Sequence, residues 1–238
     1  MNGDYTLSAS GPGQACTPDT VRIDVLDLCA EIFQGPDQGS FPALLGRELP
    51  ELARRAAGCG SSLAGPLAAL ARVSPFMGAR QDISASLVEL ESTYVSLFVN
   101  ARDGVRAPLY ESCHTQGGRR LMGPPAEVMS LRLLQAGLTL ADDQVEPPDH
   151  LSIELEYLAF VLNAACDENK PTLTAVAKDF ARHVLPAWRR WAEALETSTA
   201  AEPDAVFPGN GNTPGHRSEA FFRAAARLTL AALESLTG

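Results

Sequence analysis

The sequence has little positive charge and few aromatic residues. Its 238 residues include 19 Lys and Arg against 29 Asp and Glu, a net charge of −10, and only 6% are aromatic. Nucleic-acid binding needs clustered Lys and Arg that neutralise phosphates, so this balance argues against a nucleic-acid partner. An acidic surface suits a cationic partner such as an arginine-bearing peptide, although acidity also serves solubility alone.

Sequence features of export, membrane insertion and disulfide bonding are missing too. Residues 1–20 contain no basic region followed by an apolar one, and no apolar run reaches the roughly 18 residues that span a bilayer. The odd number of cysteines and the lack of a Cys-x-x-Cys pair argue against a disulfide framework and a structural zinc site. We therefore expect a cytoplasmic protein without stable membrane insertion. The cysteines are Cys16, Cys29, Cys59, Cys113 and Cys166.

Apolar residues recur with helical spacing along most of the chain. Thr17 and Pro18 suit the cap and the first turn of a helix. Val21, Val25 and Leu28 follow at i, i+4 and i+7, which predicts one buried helical stripe. Because we find no alternating strand pattern and no internal repeat, the predicted fold is all-α.

Three further helices are predicted in the second half of the chain. One opens at Pro124, and the other two extend from about Pro171 to Leu195 and from about Pro214 to Leu236. The spacing of the apolar residues predicts the inward face of the first of these helices. That face comprises Val128, Leu131, Leu134 and Leu138.

The helices are expected to form a single helical domain over residues 18–238, preceded by a flexible tail at 1–17. The stretch at about 99–123 has no sustained period and predicts a long, hinge-like connection between an amino-terminal and a carboxy-terminal helical part. A second stretch, at about 197–213, is rich in Pro, Gly, Ser and Thr and predicts a mobile loop. A long hinge permits either a monomer or a domain-swapped dimer.

The segment EPPDHLSIELEY, residues 146–157, is the most suggestive of chemistry. His150 and Glu154 are spaced i, i+4 and would share a helix face, which suits a pair of metal ligands or a base with its orienting partner. A helical metal site needs further inward ligands, and the other three histidines stand in no recognisable ligand motif. We therefore predict no catalysis and no cofactor, with a metal-dependent helical hydrolase using His150 and Glu154 as the alternative.

The same segment also has a purely structural interpretation. Asp149, after two prolines, suits the N-cap of a helix. Glu154 and Glu156 would then be solvated acids near the helix N-terminus, where negative charge is favourable. His150 stays unexplained, because it would cap nothing and would carry partial positive charge at the positive end of the helix. The buried stripe would comprise Leu151, Leu155, Leu158 and Leu162.

Four segments of the chain form an ordered set of motifs. They are LESTYVSLFVN, APLYESCH, EPPDHLSIELEYLAFVL and FARHVLPAWRRWAEAL. The third is close to the pattern E-P-D-H-[IL]-x-x-E-L-x-[FY]-[ML]. The set resembles, in order and distance, the motifs of the TorD/DmsD/NarJ family of cytoplasmic chaperones for molybdenum enzymes. The resemblance extends from about residue 20 to the end of the chain.

The resemblance implies a non-enzymatic helical chaperone. Members of the family bind the Arg-Arg signal peptide, or the N-terminus, of a molybdoenzyme catalytic subunit of the dimethylsulfoxide-reductase class until its molybdenum cofactor is inserted. Carboxylates that bind arginine bidentately, beside apolar side chains, suit such a peptide. The predicted peptide-binding residues are Asp149, His150, Glu154, Glu156, Tyr110, Glu111, Ser112, Tyr94 and Phe98.

Overall fold

A computed structural model of the chain shows an all-helical protein, as predicted. The described part of the chain contains helices joined by short segments, and its sole β-type pairing is an isolated antiparallel bridge between Tyr110 and His150. None of the described helices is both long and apolar enough to cross a bilayer. The structure describes residues 16–75, 82–100, 104–115, 121–140, 146–167, 169–200 and 214–238.

The first half of the chain holds the shorter helices. Helix α2 continues through a π-helical turn into α3 without a break. Helix α5 likewise continues directly into a second π-helical turn. The elements are α1 (Pro18–Gln34), α2 (Phe41–Ala43) with its π-turn (Leu44–Glu48), α3 (Leu49–Gly58), α4 (Ala64–Val73), and α5 (Ile83–Tyr94) with its π-turn (Val95–Val99).

The second half begins with a 3-10 turn and holds the longest helices. Helix α1 packs along α7, α7 packs along α8, and α9 contacts α8, α4 and α1. One hydrophobic core therefore contains side chains from both halves of the chain. The elements are the 3-10 turn (Glu111–Cys113), α6 (Pro124–Gln135), α7 (Leu151–Asp167), α8 (Pro171–Ala200) and α9 (Pro214–Thr237).

Several local predictions are confirmed. Thr17 caps α1 through a reciprocal capping box with Thr20, whose backbone N–H donates to the Thr17 hydroxyl. The predicted leucine stripe of α7 is buried along its whole length. Helix α8 begins at Pro171 as predicted, but it continues past Leu195 to Ala200, so the first residues of the expected 197–213 loop are helical.

The predicted inward face of α6 is wrong. Leu131 and Leu134 are 58% and 71% exposed, whereas Met129 and Leu133, with Ala126, are buried. The sequence of α6 carries two apolar stripes, and tertiary packing, which includes contacts with the 3-10 turn, buries the one that contains Ala126. Of the predicted set, Leu138 beyond the helix does pack partly against the core.

The predicted domain organisation stays a prediction. Residues 104–115 of the expected hinge are described, and they contain the 3-10 turn and one side of the bridge. Residues 1–15 of the expected tail and 201–213 of the expected loop lie outside the described residues.

Candidate functional site

The bridge between Tyr110 and His150 joins two of the four sequence motifs. The Glu111 N–H donates to the Asp149 carbonyl at 2.9 Å, and the Leu151 N–H donates to the Leu109 carbonyl at 2.8 Å. These bonds bring the APLYESCH segment alongside the first residues of α7. Side chains far apart in sequence thereby form one cluster.

Asp149 connects the two segments through its side chain. The carboxylate is fully buried, and its Oδ2 accepts the Ser112 N–H at 2.9 Å, so it caps the 3-10 turn. The second oxygen, Oδ1, has no hydrogen-bond partner. The structural interpretation of Asp149 as the cap of α7 is wrong, because the helix begins at Leu151 and the Asp149 carboxylate accepts from the backbone amide of Ser112 instead.

His150 performs the capping role expected of its neighbour. Its Nδ1 lies 3.3 Å from the Ser152 backbone N and 2.9 Å from the Ser152 hydroxyl, which assigns this nitrogen as an acceptor. Burial lowers the pKa of His150 to about 4, so the ring is neutral at pH 7. The expected positive charge at the helix start is therefore absent. The ring also packs edge-on against Tyr110, with centroids 5.3 Å apart.

Glu154 and Glu111 form a buried pair of acids. The Glu154 side chain is almost fully enclosed, and its Oε2 accepts the Trp188 indole N–H at 2.7 Å. Burial and the facing Glu111 carboxyl raise the pKa of Glu154 well above its ordinary value. Burial also raises the pKa of Glu111, although the neighbouring Glu154 carboxyl and the charge of Arg132 oppose this shift. The expectation that Glu154 is a solvated acid is wrong.

The second oxygen of Glu154, Oε1, has no hydrogen-bond partner. Burial and the neighbouring Glu111 carboxyl both favour the protonated form of Glu154, because ionisation would place a charge in a buried site beside a second acid.

An exposed acid lies at the surface of this cluster. Glu146 accepts a hydrogen bond from the Tyr110 hydroxyl at 2.5 Å. Burial and the Glu146 carboxylate raise the pKa of Tyr110, so its hydroxyl keeps its proton. The predicted site residues do not include Glu146, although it belongs to the EPPDHLSIELEYLAFVL motif. They also omit Trp188, which could have been chosen because it belongs to the FARHVLPAWRRWAEAL motif.

Tyr94 and Phe98 lie on the core side of Glu146. The Tyr94 hydroxyl donates to the Phe33 carbonyl at 2.8 Å, and the Glu146 charge raises the pKa of Tyr94 further after burial. Phe98 packs edge-on against Tyr94 and Phe222 and is buried. The assignment of both residues to peptide binding stays a prediction.

Glu156 lies on a different side of α7. It is exposed and faces helix α1, where its charge contributes to raising the pKa values of Asp27 and Glu31. The pKa rises to about 6 for Asp27 and to about 7 for Glu31, and burial is the larger cause at both residues. The structure thus separates Glu156 from Asp149 and Glu154, with which it was grouped by sequence.

The His150 and Glu154 pair does not have the arrangement of metal ligands. Nδ1 of His150 caps α7, and Glu154 is bonded to Trp188 and paired with Glu111. Across the part of the chain that the structure describes, no group of three or more His, Cys, Asp or Glu side chains could hold a metal ion. The donor set gives the hydrolase alternative no support.

The described residues thus form a helical fold with a buried polar cluster where two sequence motifs meet. Residues 58–192, more than half of the chain, match the family described as nitrate reductase delta subunit. The chain belongs to this NarJ/TorD-like family, whose members are maturation chaperones of redox enzymes rather than catalysts and which partner a molybdoenzyme subunit.

A redox enzyme maturation protein from Archaeoglobus fulgidus, known from a crystal structure, is 21% identical over 92% of this chain and 96% of its own, with a TM-score of 0.43. No curated protein matches this chain.

Proposed function

We propose that this chaperone binds the Arg-Arg signal peptide, or the N-terminus, of a molybdoenzyme catalytic subunit of the dimethylsulfoxide-reductase class. Binding in the cytoplasm would hold the subunit until its molybdenum cofactor is inserted and export begins. The observation that carries the proposal is the acidic cluster at the bridge, where Asp149, Glu111 and Glu154 are buried and the exposed Glu146 carboxylate accepts a hydrogen bond from Tyr110.

Glu146 is the accessible acceptor for an arginine of the peptide. A guanidinium binds a carboxylate through two parallel hydrogen bonds, and it would compete for the Oε2 atom that now accepts from Tyr110. Tyr110 connects this carboxylate to the bridge that also carries the buried acids Asp149 and Glu111. Asp149 and His150 would then act by holding the bridge in place.

An apolar surface lies next to the same cluster. Helix α6 packs against the 3-10 turn that carries Glu111, and its outer side exposes Val128, Leu131 and Leu134. A signal peptide carries an apolar stretch after its arginines, and an amphipathic or apolar helix binds exposed side chains at this spacing. The outer face of α6 therefore suits the apolar part of the ligand, as Glu146 suits the charged part.

Calorimetric titration with a synthetic signal peptide tests the proposal. We expect micromolar or tighter binding of the Arg-Arg peptide from the molybdoenzyme encoded nearest the gene. Replacing both arginines by alanine should abolish binding, and replacing both by lysine should weaken it, since lysine lacks the bidentate fork. Absence of binding, or equal binding of the alanine peptide, would refute peptide recognition. A client subunit without its leader that is still captured would instead indicate assembly on a folded surface.

A further inference from the structure

Two cysteines that are far apart in sequence meet at the end of α3. The Cys16 thiol donates to the Arg55 carbonyl at 3.4 Å, and the same carbonyl accepts the Cys59 N–H at 3.0 Å. The Cys59 thiol lies 3.7 Å from the carbonyl of Ala56, the next residue along the helix. The two sulfur atoms are therefore held at the carbonyls of two adjacent residues in one helical turn.

The two thiols are accessible to solvent, and the backbone that holds them is fixed in place. Cys16 is exposed and Cys59 is partly exposed, whereas Cys29 is buried. Arg55 forms an ion pair with Asp24 of α1, so the backbone that holds the two thiols is fixed against the neighbouring helix. A small oxidant can thus reach both thiols, which lie on the same helical turn.

We propose that Cys16 and Cys59 form a redox-sensitive dithiol that closes to a disulfide. With a low-molecular-weight disulfide such as oxidised glutathione, one cysteine thiolate attacks a sulfur of the oxidant and releases one glutathione thiolate. The second cysteine then attacks the protein sulfur of this mixed disulfide and releases the second glutathione. Both protein thiols lose a proton, two electrons pass to the oxidant, and one protein disulfide forms.

The bond would join two elements at the edge of the core. Cys16 precedes the cap of α1, and Cys59 is the residue at which α3 ends. The bond would close a chain loop that contains both helices, so it restricts the unfolded chain and stabilises the oxidised protein. The neighbouring Cys59 thiol, followed by burial, raises the pKa of Cys16, and attack by its thiolate therefore becomes faster as the pH rises.

Mass spectrometry of the oxidised full chain tests the proposal. After incubation with excess oxidised glutathione at pH 8, alkylation and digestion, we expect a disulfide-linked peptide pair containing Cys16 and Cys59. The melting temperature should rise by a few degrees relative to the reduced protein. C59S should yield a glutathione adduct on Cys16 and no change of this size in melting temperature.

C166S provides the matched control, because Cys166 is also exposed but lies on α7. This variant should form the same linked peptides as the unmodified chain. Separate glutathione adducts on Cys16 and Cys59 without a link between them would overturn the proposal. Loss of the link in C166S would do so as well, since it would assign the bond to another pair.

Discussion

Glu154 and Glu156 are two residues apart on α7, yet they lie in opposite environments. Glu154 is 1% exposed, bonded to Trp188 and paired with a second acid. Glu156 is exposed on the side that faces α1, beside Asp27 and Glu31. The comparison teaches that two acids in one motif can have different surroundings: Glu154 is enclosed by Trp188 and Glu111, whereas Glu156 lies at the surface.

The sharpest test of this difference is removal of each acid. Glu154→Ala leaves the Trp188 N–H without its acceptor and opens a cavity, so we expect a loss of about 3 kcal/mol in the free energy of unfolding. Glu156→Ala should change it by no more than about 0.5 kcal/mol, because the side chain is exposed. Urea unfolding of both variants measures the contrast. Equal losses would place the two acids in equivalent roles.

The second largest effect is expected at Asp149. Asp149→Ala removes the acceptor of the buried Ser112 N–H, and we expect a loss of about 2 kcal/mol. Asp149→Asn keeps an acceptor oxygen and should lose less. The same urea experiment checks both variants. A helix-cap role for Asp149 would instead appear as fraying of α7 in hydrogen exchange, with the Ser112 amide still protected.

The pH dependence of the free energy of unfolding should come partly from Glu154. Replacing Glu154 by a neutral residue should therefore remove this part. The pKa of Glu154 in the folded protein lies above its ordinary value of 4.5, so the folded state binds the proton more tightly than the unfolded state. Stability therefore falls as the pH rises from about 4.5 through the raised pKa. Glu154→Gln keeps an acceptor for Trp188 and removes this titration.

Thermal unfolding from pH 5 to pH 8 measures the difference between the two proteins. We expect the wild-type protein to lose more stability over this range than Glu154→Gln. Asp27 and Glu31 contribute in the same direction in both proteins, and His150, whose pKa is lowered, contributes in the opposite direction below its ordinary value. Because Asp27, Glu31 and His150 are present in both proteins, their contributions cancel in the difference between wild type and Glu154→Gln. Parallel curves would contradict a protonated Glu154.

The smallest effect on stability is expected on the outer face of α6. Leu134→Ser should change the free energy of unfolding by no more than about 0.5 kcal/mol, because the side chain is 71% exposed. The same change should weaken signal-peptide binding, since it removes apolar contact area. Leu133→Ser, at a buried position one residue away, serves as a control that should destabilise the protein. Unchanged peptide affinity in Leu134→Ser would exclude this face.

The predicted elements agree with the structure where local signals are sufficient. Thr17 and the leucine stripe of α7 were predictable because a cap and a 3.6-residue period act within a few turns. The roles of Asp149 and Glu154 were not, because their partners Ser112 and Trp188 lie 37 and 34 residues away. The inward face of α6 was predicted wrongly for a related reason. Two apolar stripes of this helix could each face the core, and only tertiary packing determines which one is buried.

The affinity of the Arg-Arg signal peptide for Glu146→Gln and for Glu156→Gln tests the central claim most directly. Both changes remove one exposed negative charge, so they affect long-range attraction to the peptide about equally. We expect Glu146→Gln to raise the Kd by about tenfold or more, since it removes the bidentate acceptor, and Glu156→Gln to raise it by less than about threefold. The reverse order would place the arginines on the α1–α7 face and contradict the account.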